Sequence, residues 1–301
     1  MATQAGAATV AGAEAAQPRV ARRTLKPERT KTPWWMWIAV AAIVIFCLFP
    51  FYWLVNISLK QGSDLQSSSL IPPHPTLENY KTVFQNDDFV KSLRNSAIVA
   101  LSTTLLGLLV GSFCAYALAR LHLRGKFVIL GIVLTISTFP QIAIAAPLFK
   151  LWSDIGLFNT WTGLIIPYLT FALPLTIYIL VSFFKEIPRD LEEAALVDGA
   201  TNFQAFRKVV VPLAAPGLAT AGILTFIGAW NEFLLAVTLT SSPAARTVPA
   251  QISFFTGATE HEIPYGSISA ASVVISVPLI ILVLLFQKRI VAGLTAGAVK
   301  G

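Results

Sequence analysis

Six long apolar stretches, separated by polar segments, dominate the hydrophobic pattern of the chain. Each is long enough to cross a hydrocarbon core of about 30 Å as a helix that rises about 1.5 Å per residue. Unpaired backbone groups are costly in lipid, so the stretches are predicted to be helical and the protein to be an all-α integral membrane protein. The predicted spans are residues 34–55, 92–121, 127–151, 161–184, 213–239 and 268–286.

Composition agrees with a membrane protein and narrows its chemistry. Only 12% of the residues are charged, against about 25% in soluble domains, and the mean hydropathy is +0.70. The net charge of +7 comes from Lys and Arg between the apolar runs, which favours membrane topology and anionic lipid headgroups over nucleic acid. Cys47 and Cys114 lie inside apolar runs and the histidines are scattered, so we expect neither a disulfide nor a metal site.

The two ends of the chain differ from its apolar middle. Residues 1–33 are rich in Ala, Thr and Pro and carry several basic residues, which predicts a disordered cytoplasmic arm. The first apolar stretch is longer than a signal-peptide core of about 7–15 residues and lacks an A-x-A-like exit, so we expect it to remain as a helix. Residues 34–290 are therefore assigned to the transmembrane domain and residues 291–301 to a cytoplasmic tail.

The distribution of basic residues predicts the orientation of the helices. With the N-terminal arm in the cytoplasm, most of the 22 Lys and Arg residues fall on the inside segments. An even number of spans returns the C-terminus to the inside, and Lys288 and Arg289 follow the last span directly. These observations predict a multi-pass protein of the cell membrane with both termini in the cytoplasm.

Two predicted outside loops differ in character. Residues 60–91 carry Pro72, Pro73 and Pro75 followed by a polar stretch, which fits either a surface for a soluble partner or an ordinary exposed loop. Residues 240–265 contain an apolar piece at 248–255, which is predicted to dip to the membrane surface.

The inside segment at residues 185–212 is too polar to span the membrane, yet it is strongly patterned. Pro188 suits the first turn of a helix, and Asp198 with Gly199 is a stop signal, because Gly adopts the left-handed conformation that follows many helices. Thr201 and Gln204 form a capping-box pattern that opens a second short helix. The pattern predicts a compact helix–turn–helix that can transmit force between a soluble partner and the helix bundle.

This segment resembles a known motif. Glu193, Ala194 and Ala195 are followed after three residues by Gly199, and residues 209–212 read V-V-V-P where the motif has I-x-L-P. The whole pattern, with its spacing unaltered, resembles the EAA loop of importer-type ABC permeases. The valines replace Ile and Leu conservatively and keep the apolar face.

Three further passages resemble the carbohydrate-uptake branch of that family, in particular the second permease subunit of maltose and trehalose importers. They are residues 198–200 with 204–207, residues 229–233, and residues 293–301. The resemblance implies a type I importer permease fold with six transmembrane helices. It also implies a heterodimer with a second permease, two ATPase subunits that bind ATP and Mg, and an extracytoplasmic sugar-binding protein. No cofactor is expected on this chain itself.

The resemblance assigns roles in ATPase contact to two regions. Glu193 would meet a basic residue in the ATPase cleft, although without the motif it would be read as a solvated helix glutamate. The tail would reach between the ATPase subunits through Leu294, Thr295 and Gly297; the alternative is a frayed terminus. The predicted coupling residues are Glu193, Ala194, Ala195, Asp198, Gly199, Phe203, Arg207 and Pro212.

Polar residues inside the apolar stretches are candidates for the translocation path. An ionisable group at membrane depth is costly and usually faces the bundle interior or water, which singles out Asn231 and Glu232 in the fifth span. An interfacial pair near the outer surface is the alternative. Trp230 would stack on a sugar or anchor the helix at the interface. Ser137, with Thr138, and Gln141 in the third span would line the cavity or make interhelical hydrogen bonds.

Three functions were compared. The chain lacks a G-x-x-x-x-G-K-[ST] loop, so it is predicted to be a non-catalytic permease subunit that depends on a partner ATPase. The resemblance implies import of a sugar, with an α-linked disaccharide such as trehalose or maltose expected first. The alternative is an ion-coupled secondary transporter, but these commonly have inverted repeats and buried carboxylates, and only Glu232 is a candidate. A membrane enzyme ranks last, because the spans hold no catalytic cluster.

Overall fold

The computed structural model describes residues 33–255 and 264–296. Residues 1–32 of the predicted arm and Gly297 of the predicted tail lie outside the described residues. In chain order the helices are α1 (Trp34–Ser58), α2 (Glu78–Gln85), α3 (Asp87–Arg120), α4 (Lys126–Ser137), α5 (Gln141–Asp154), α6 (Trp161–Glu186), α7 (Arg189–Val197), α8 (Asn202–Ala205), α9 (Val211–Leu213), α10 (Ala215–Trp230), α11 (Leu234–Leu239), α12 (Val248–Ile252) and α13 (Tyr265–Ala296).

The described helices confirm the all-α prediction. Four of them, namely α1, α3, α6 and α13, are long and apolar enough to cross a membrane singly. Two further spans result if each of two sharply bent helix pairs is counted as one, which brings the total to as many as six. The first part of α1, up to Leu48, belongs to one compact unit, and the chain from Phe49 onward forms another.

The third predicted span is broken. The stretch at 127–151 forms α4 and α5, whose axes are bent by 84°. Pro140 is the N-cap of α5 with extended backbone. Proline lacks the backbone N–H needed to continue α4, and it disfavours helical backbone in the residue before it, so the prediction of one continuous helix here is wrong.

The fifth predicted span is interrupted twice. The helical segment Asn202–Leu213 meets α10 at an angle of 76°, close to Pro216 in the first turn of α10. At its other end α10 stops at Trp230, and α11 begins only at Leu234. The prediction of a single helix at 213–239 is therefore wrong. The average hydropathy stays high across residues 231–233, but the helix is interrupted there.

Some observed helices begin or end at residues other than those predicted. α3 begins at Asp87, because the Asn86 side chain accepts a hydrogen bond of 3.1 Å from the backbone N–H of Phe89. The short amphipathic helix α2 lies inside the segment that was predicted to be an outside loop. α13 extends to Ala296 and so includes the first residues of the predicted tail.

Close approach of helices holds the bundle around α3, which packs against both α6 and α10. A Cβ on Gly111 of α3 would lie 2.8 Å from Thr176 Cγ2 of α6, so only glycine fits at this crossing. A Cβ on Gly217 of α10 would lie 2.4 Å from the Phe183 ring. Small residues thus allow the three helices to pack at short distance and to position the segments at their ends.

Candidate functional site

The helix α7 carries the EAA motif and is defined by local signals at both ends. Pro188 is its N-cap, and Asp190 and Glu192 lie in its first turn, where negative charge is favourable. The helix ends at Asp198, and Gly199 has φ +87°, the left-handed conformation that the sequence predicted. The turn after α7 is therefore tightly specified.

The second helix of the segment begins with the predicted capping box. The backbone N–H of Gln204 donates to Thr201 Oγ1 at 3.2 Å, and the backbone N–H of Thr201 donates to Gln204 Oε1 at 2.9 Å. The helix then widens into a π-helical turn over Phe206–Val210, a rare feature that is frequent at functional sites. This turn buries Phe206 and leaves Arg207 exposed.

One face of this segment is exposed. The Glu193 carboxylate is on the surface, and it forms no ion pair with a side chain of residues 33–255 or 264–287. Ala194 beside it is exposed, and Val197 at the end of α7 is 87% exposed. Phe203 is more than half exposed, although its ring stacks against Phe113. A free carboxylate among small and apolar exposed residues is the composition of a docking surface.

The neighbouring glutamate points the other way. Glu192 Oε2 lies 3.1 Å from Arg120 Nε, and the two side chains are only 12% and 7% exposed. The Tyr116 hydroxyl forms a hydrogen bond with the same carboxylate. Arg120 also donates from Nη2 to the backbone oxygen of Ile187 at 2.9 Å. Glu193 of the motif and Glu192 just before it thus have different environments, one external and one internal.

A cavity of about 160 Å³ lies between α6, α10 and the start of α5 and α11. It brings together two residues proposed from the sequence, Gln141 and Glu232, and adds Tyr168, Phe171 and Thr225. Its lining is mostly apolar with a few convergent polar groups, which is the usual composition of a small-molecule site.

The polar groups of this cavity are held by different bonds. Glu232 accepts hydrogen bonds from the backbone N–H groups of Leu235 at 2.7 Å and Ala236 at 3.0 Å, so it caps the start of α11. The Tyr168 side chain is 4% exposed, and its hydroxyl lies beside Glu232 and Thr247 without a well-formed hydrogen bond. The Tyr168 hydroxyl is therefore one polar group of the lining with bonding capacity left for a ligand.

The far end of α3 is held by a polar cluster. Asn95 Nδ2 donates to the backbone oxygens of Pro243 at 2.9 Å and Arg246 at 3.0 Å, and Trp161 Nε1 donates to Asn95 Oδ1 at 3.0 Å. The Arg246 guanidinium lies 3.8 Å from the centroid of the Phe254 ring, and burial lowers its pKa. The predicted outside segment at 240–255 is thereby fixed to the bundle.

Residues 107–295, which include both the EAA segment and the cavity, match the model of a family described as the binding-protein-dependent transport system inner membrane component. The chain belongs to this family. The permease is thus a transport component and a multi-pass membrane protein, as predicted from its spans and motif. The comparisons give no support to an ion-coupled secondary transporter.

Curated relatives cover most of the chain. The trehalose transport system permease protein SugB of Mycobacterium tuberculosis is 52% identical over 88% of this chain and 97% of its own length. The sulfoquinovosyl glycerol transport system permease protein SmoH of Agrobacterium fabrum is 46% identical over 88% of this chain and 93% of its own length. Both are named as permeases for carbohydrate compounds.

A solved structure supports the type I importer fold. One chain of a bacterial ABC transporter that imports the acidic polysaccharide alginate superposes with a TM-score of 0.71 and 25% sequence identity. The match covers 84% of this permease and 95% of the other chain. The similarity therefore extends over nearly the whole described bundle.

The remaining predicted path residues lie outside the cavity. Trp230 is buried, donates from Nε1 to the backbone oxygen of Ile275 at 3.2 Å and stacks on Phe226. Asn231 and Ser137 are exposed and do not line the cavity. Of the sequence candidates, the permease thus brings only Gln141 and Glu232 together.

The predicted tail contact falls at the end of the described chain. Leu294 and Thr295 lie in the last turn of α13. The contact of these two residues with ATPase subunits stays a prediction.

Sequence reasoning missed the inward role of Glu192 and the cavity position of Tyr168. Arg120 lies in the last turn of α3, a position that suits a basic residue that satisfies carbonyls at helix ends. Tyr168 lies in an apolar stretch without a local pattern that marks it. Only the packing of α6 against α10 and α11 identifies it.

Proposed function

We propose that the permease is one of two membrane subunits of an ATP-driven sugar importer, and that its substrate is an α-linked disaccharide, trehalose first and maltose second. The observation that carries the coupling role is the exposed Glu193 on a doubly capped segment that lies inside the family match. The relative named for trehalose transport is 52% identical, which supports the substrate.

The permease works in this proposal as part of a larger assembly. A second permease completes the translocation path, two ATPase subunits bind ATP and Mg, and a sugar-binding protein docks on the outside. Both termini and the α7–α8 segment face the cytoplasm, as the basic residues favour. ATP binding inside and binding-protein docking outside favour the same outward-open state, so the two sites are coupled through one two-state bundle.

Docking of the ATPase uses the exposed face of the segment. Glu193 pairs with a basic group in a cleft of the ATPase, while Ala194 and the half-buried Ala195 leave room for close approach. Asp198, Gly199, Phe203, Arg207 and Pro212 shape the same surface, and the tail residues Leu294 and Thr295 add a second contact. A charge pair that becomes buried on docking provides orientation as well as affinity.

The cavity forms part of the path for the sugar. A pyranose ring presents hydroxyl groups that both donate and accept hydrogen bonds, and one apolar face that packs on aromatic rings. Glu232, Gln141 and the Tyr168 hydroxyl offer the polar partners, and Phe171 offers the ring. The cavity of about 160 Å³ is lined by this permease alone, and the second permease would extend it.

Tyr168→Phe tests this site with the removal of a single oxygen. Because one hydrogen bond to the sugar is lost, we expect the sugar concentration for half-maximal transport to rise about fivefold with little change in maximal rate. Transport by the assembled complex in proteoliposomes measures both. Ser137→Ala, outside the cavity, is the matched control and should leave both values unchanged. Equal values for Tyr168→Phe and the wild type would remove Tyr168 from the path.

A sugar panel tests the substrate. ATPase turnover of the complete complex with its binding protein is measured with trehalose, maltose, a sulfoquinovosyl glycerol and alginate oligosaccharides. We expect trehalose to give the largest stimulation at the lowest concentration. Preference for a sulfonated or acidic sugar would refute the disaccharide assignment and leave the importer assignment in place.

A further inference from the structure

A buried charge cluster joins α7 to the end of α3. Glu192 Oε2 forms an ion pair with Arg120 Nε at 3.1 Å without hydrogen-bond geometry, and Glu192 Oε1 accepts a hydrogen bond from the Tyr116 hydroxyl. The Arg120 and Glu192 side chains are nearly excluded from solvent. Tyr116 and Glu192 are 76 positions apart along the chain. The cluster is therefore a tertiary contact and not a local helix pair.

Two arginine side chains near this cluster donate hydrogen bonds to backbone carbonyls at helix ends. Arg120 donates to the carbonyl of Ile187, which is the C-cap of α6. Arg189, the first residue of α7, donates in turn to the carbonyl of Arg120 at 3.5 Å. Carbonyls at helix ends lack intrahelical partners, so Arg120 satisfies the end of α6 and joins it to α3, while Arg189 satisfies the end of α3 and joins it to α7.

Aromatic side chains pack the π-helical turn that follows α8 against α3 and α6 at the same cluster. The Tyr116 ring lies 4.8 Å from the Phe206 ring and 6.5 Å from the Phe184 ring, measured between centroids. Phe206 and Phe184 also pack edge to face. Tyr116 therefore contacts α7 through its hydroxyl and the π-helical turn through its ring.

Stability alone does not explain a buried ion pair here. Desolvation of two charges offsets much of their attraction, and well-packed apolar residues often do as well. An ion pair with additional hydrogen bonds does, however, restrict a contact to one geometry, whereas apolar side chains can slide. A segment that must transfer movement from an ATPase to the bundle needs such a fixed connection.

We propose that Glu192, Arg120 and Tyr116 form a latch that fixes α7 to the end of α3 and so transmits ATPase movement to the transmembrane bundle. The two adjacent glutamates, Glu193 in the motif and Glu192 before it, then have separate roles. Glu193 faces outward for docking, and Glu192 faces inward as a positioning residue. The transmission part of this proposal rests on the proposed importer function, while the latch itself does not.

The test compares Glu192→Gln with Glu193→Gln, two neighbouring substitutions of identical chemistry. Hydrogen exchange of the α7 backbone amides is measured on the purified permease. Glu192→Gln should speed this exchange about tenfold because the helix opens locally more often, and Glu193→Gln should not. In the assembled complex, Glu192→Gln should keep ATPase association and basal turnover but lower the sugar transported per ATP about tenfold. Glu193→Gln should instead lose association.

The outcomes separate the two proposals. If the α7 amides of Glu192→Gln exchange at the wild-type rate, the latch is refuted. This holds whether or not the variant also loses ATPase association as Glu193→Gln does. If it fails to accumulate in the membrane, Tyr116→Phe decides, since it removes only one oxygen and should change exchange and coupling in the same direction. A wild-type complex without any sugar response would refute the importer proposal, while the exchange measurement would still judge the latch.

Discussion

Glu193→Ala is expected to lower sugar-stimulated ATP turnover of the assembled complex by about 30-fold or more, because removing one partner of a charge pair buried on docking costs at least about 2 kcal/mol. Glu193 is exposed and has no ion-pair partner within the described residues of its own chain, so its loss should leave the fold intact. The amount of ATPase that copurifies with the permease and the turnover per complex together measure the effect.

Asp190→Ala is the matched control for this substitution. Asp190 is an exposed carboxylate in the first turn of the same helix, on which no coupling role has been placed. Its loss should weaken only the interaction with the helix dipole, worth about 0.3–1 kcal/mol. If Glu193→Ala retains ATPase and turnover at the level of Asp190→Ala, Glu193 is a solvated surface residue and the docking assignment is wrong.

Gly163→Ala should strongly destabilise the permease. A Cβ on Gly163 would lie 2.1 Å from the backbone oxygen of Leu157, far inside contact distance, so the backbone must move. The Gly163 carbonyl also accepts a bond of 2.6 Å from Trp152 Nε1, and its N–H donates to the Thr160 side chain that caps α6. Overpacking of this kind costs about 1–3 kcal/mol, and the loss of the connected bonds places the change at the upper end.

The thermal midpoint and the yield of monodisperse protein in detergent measure this effect. Gly131→Ala in α4 provides the control, because no atom lies within 4 Å of the Cβ it would add. That substitution should be neutral or slightly stabilising, since alanine favours a helix over glycine by about 1 kcal/mol. Similar midpoints for the two variants would show that the turn between α5 and α6 adapts to the extra methyl group.

The parts of the fold that depend on local chemistry were predictable from the sequence. The long apolar runs identified the candidate spans, and the capping box of Thr201 and Gln204 with the left-handed Gly199 identified the helix–turn–helix at residues 185–212. These features depend on residues within a few positions of one another. The interactions that stabilise them are formed between neighbouring residues, so they can be predicted without knowledge of the packing.

Features that depend on distant contacts were not predictable. Glu192 and Glu193 look equivalent in the sequence, and only the packing of α7 on the end of α3 makes one internal and the other external. The cavity likewise required α6, α10 and α11 to meet around Tyr168. The break at Pro140 was obscured, because averaged hydropathy does not register one missing backbone donor. The break at residues 231–233 has a different cause, since no proline lies there and the Glu232 side chain accepts from the backbone N–H groups at the start of α11.

The most direct test of the importer assignment is uptake of labelled trehalose by proteoliposomes that contain the permease, its partner permease, the ATPase subunits and the binding protein. We predict uptake that requires ATP on the cytoplasmic side and continues when protonophores and ionophores dissipate all ion gradients. Uptake that proceeds without ATP and stops when an ion gradient is removed would contradict the assignment and identify a secondary transporter.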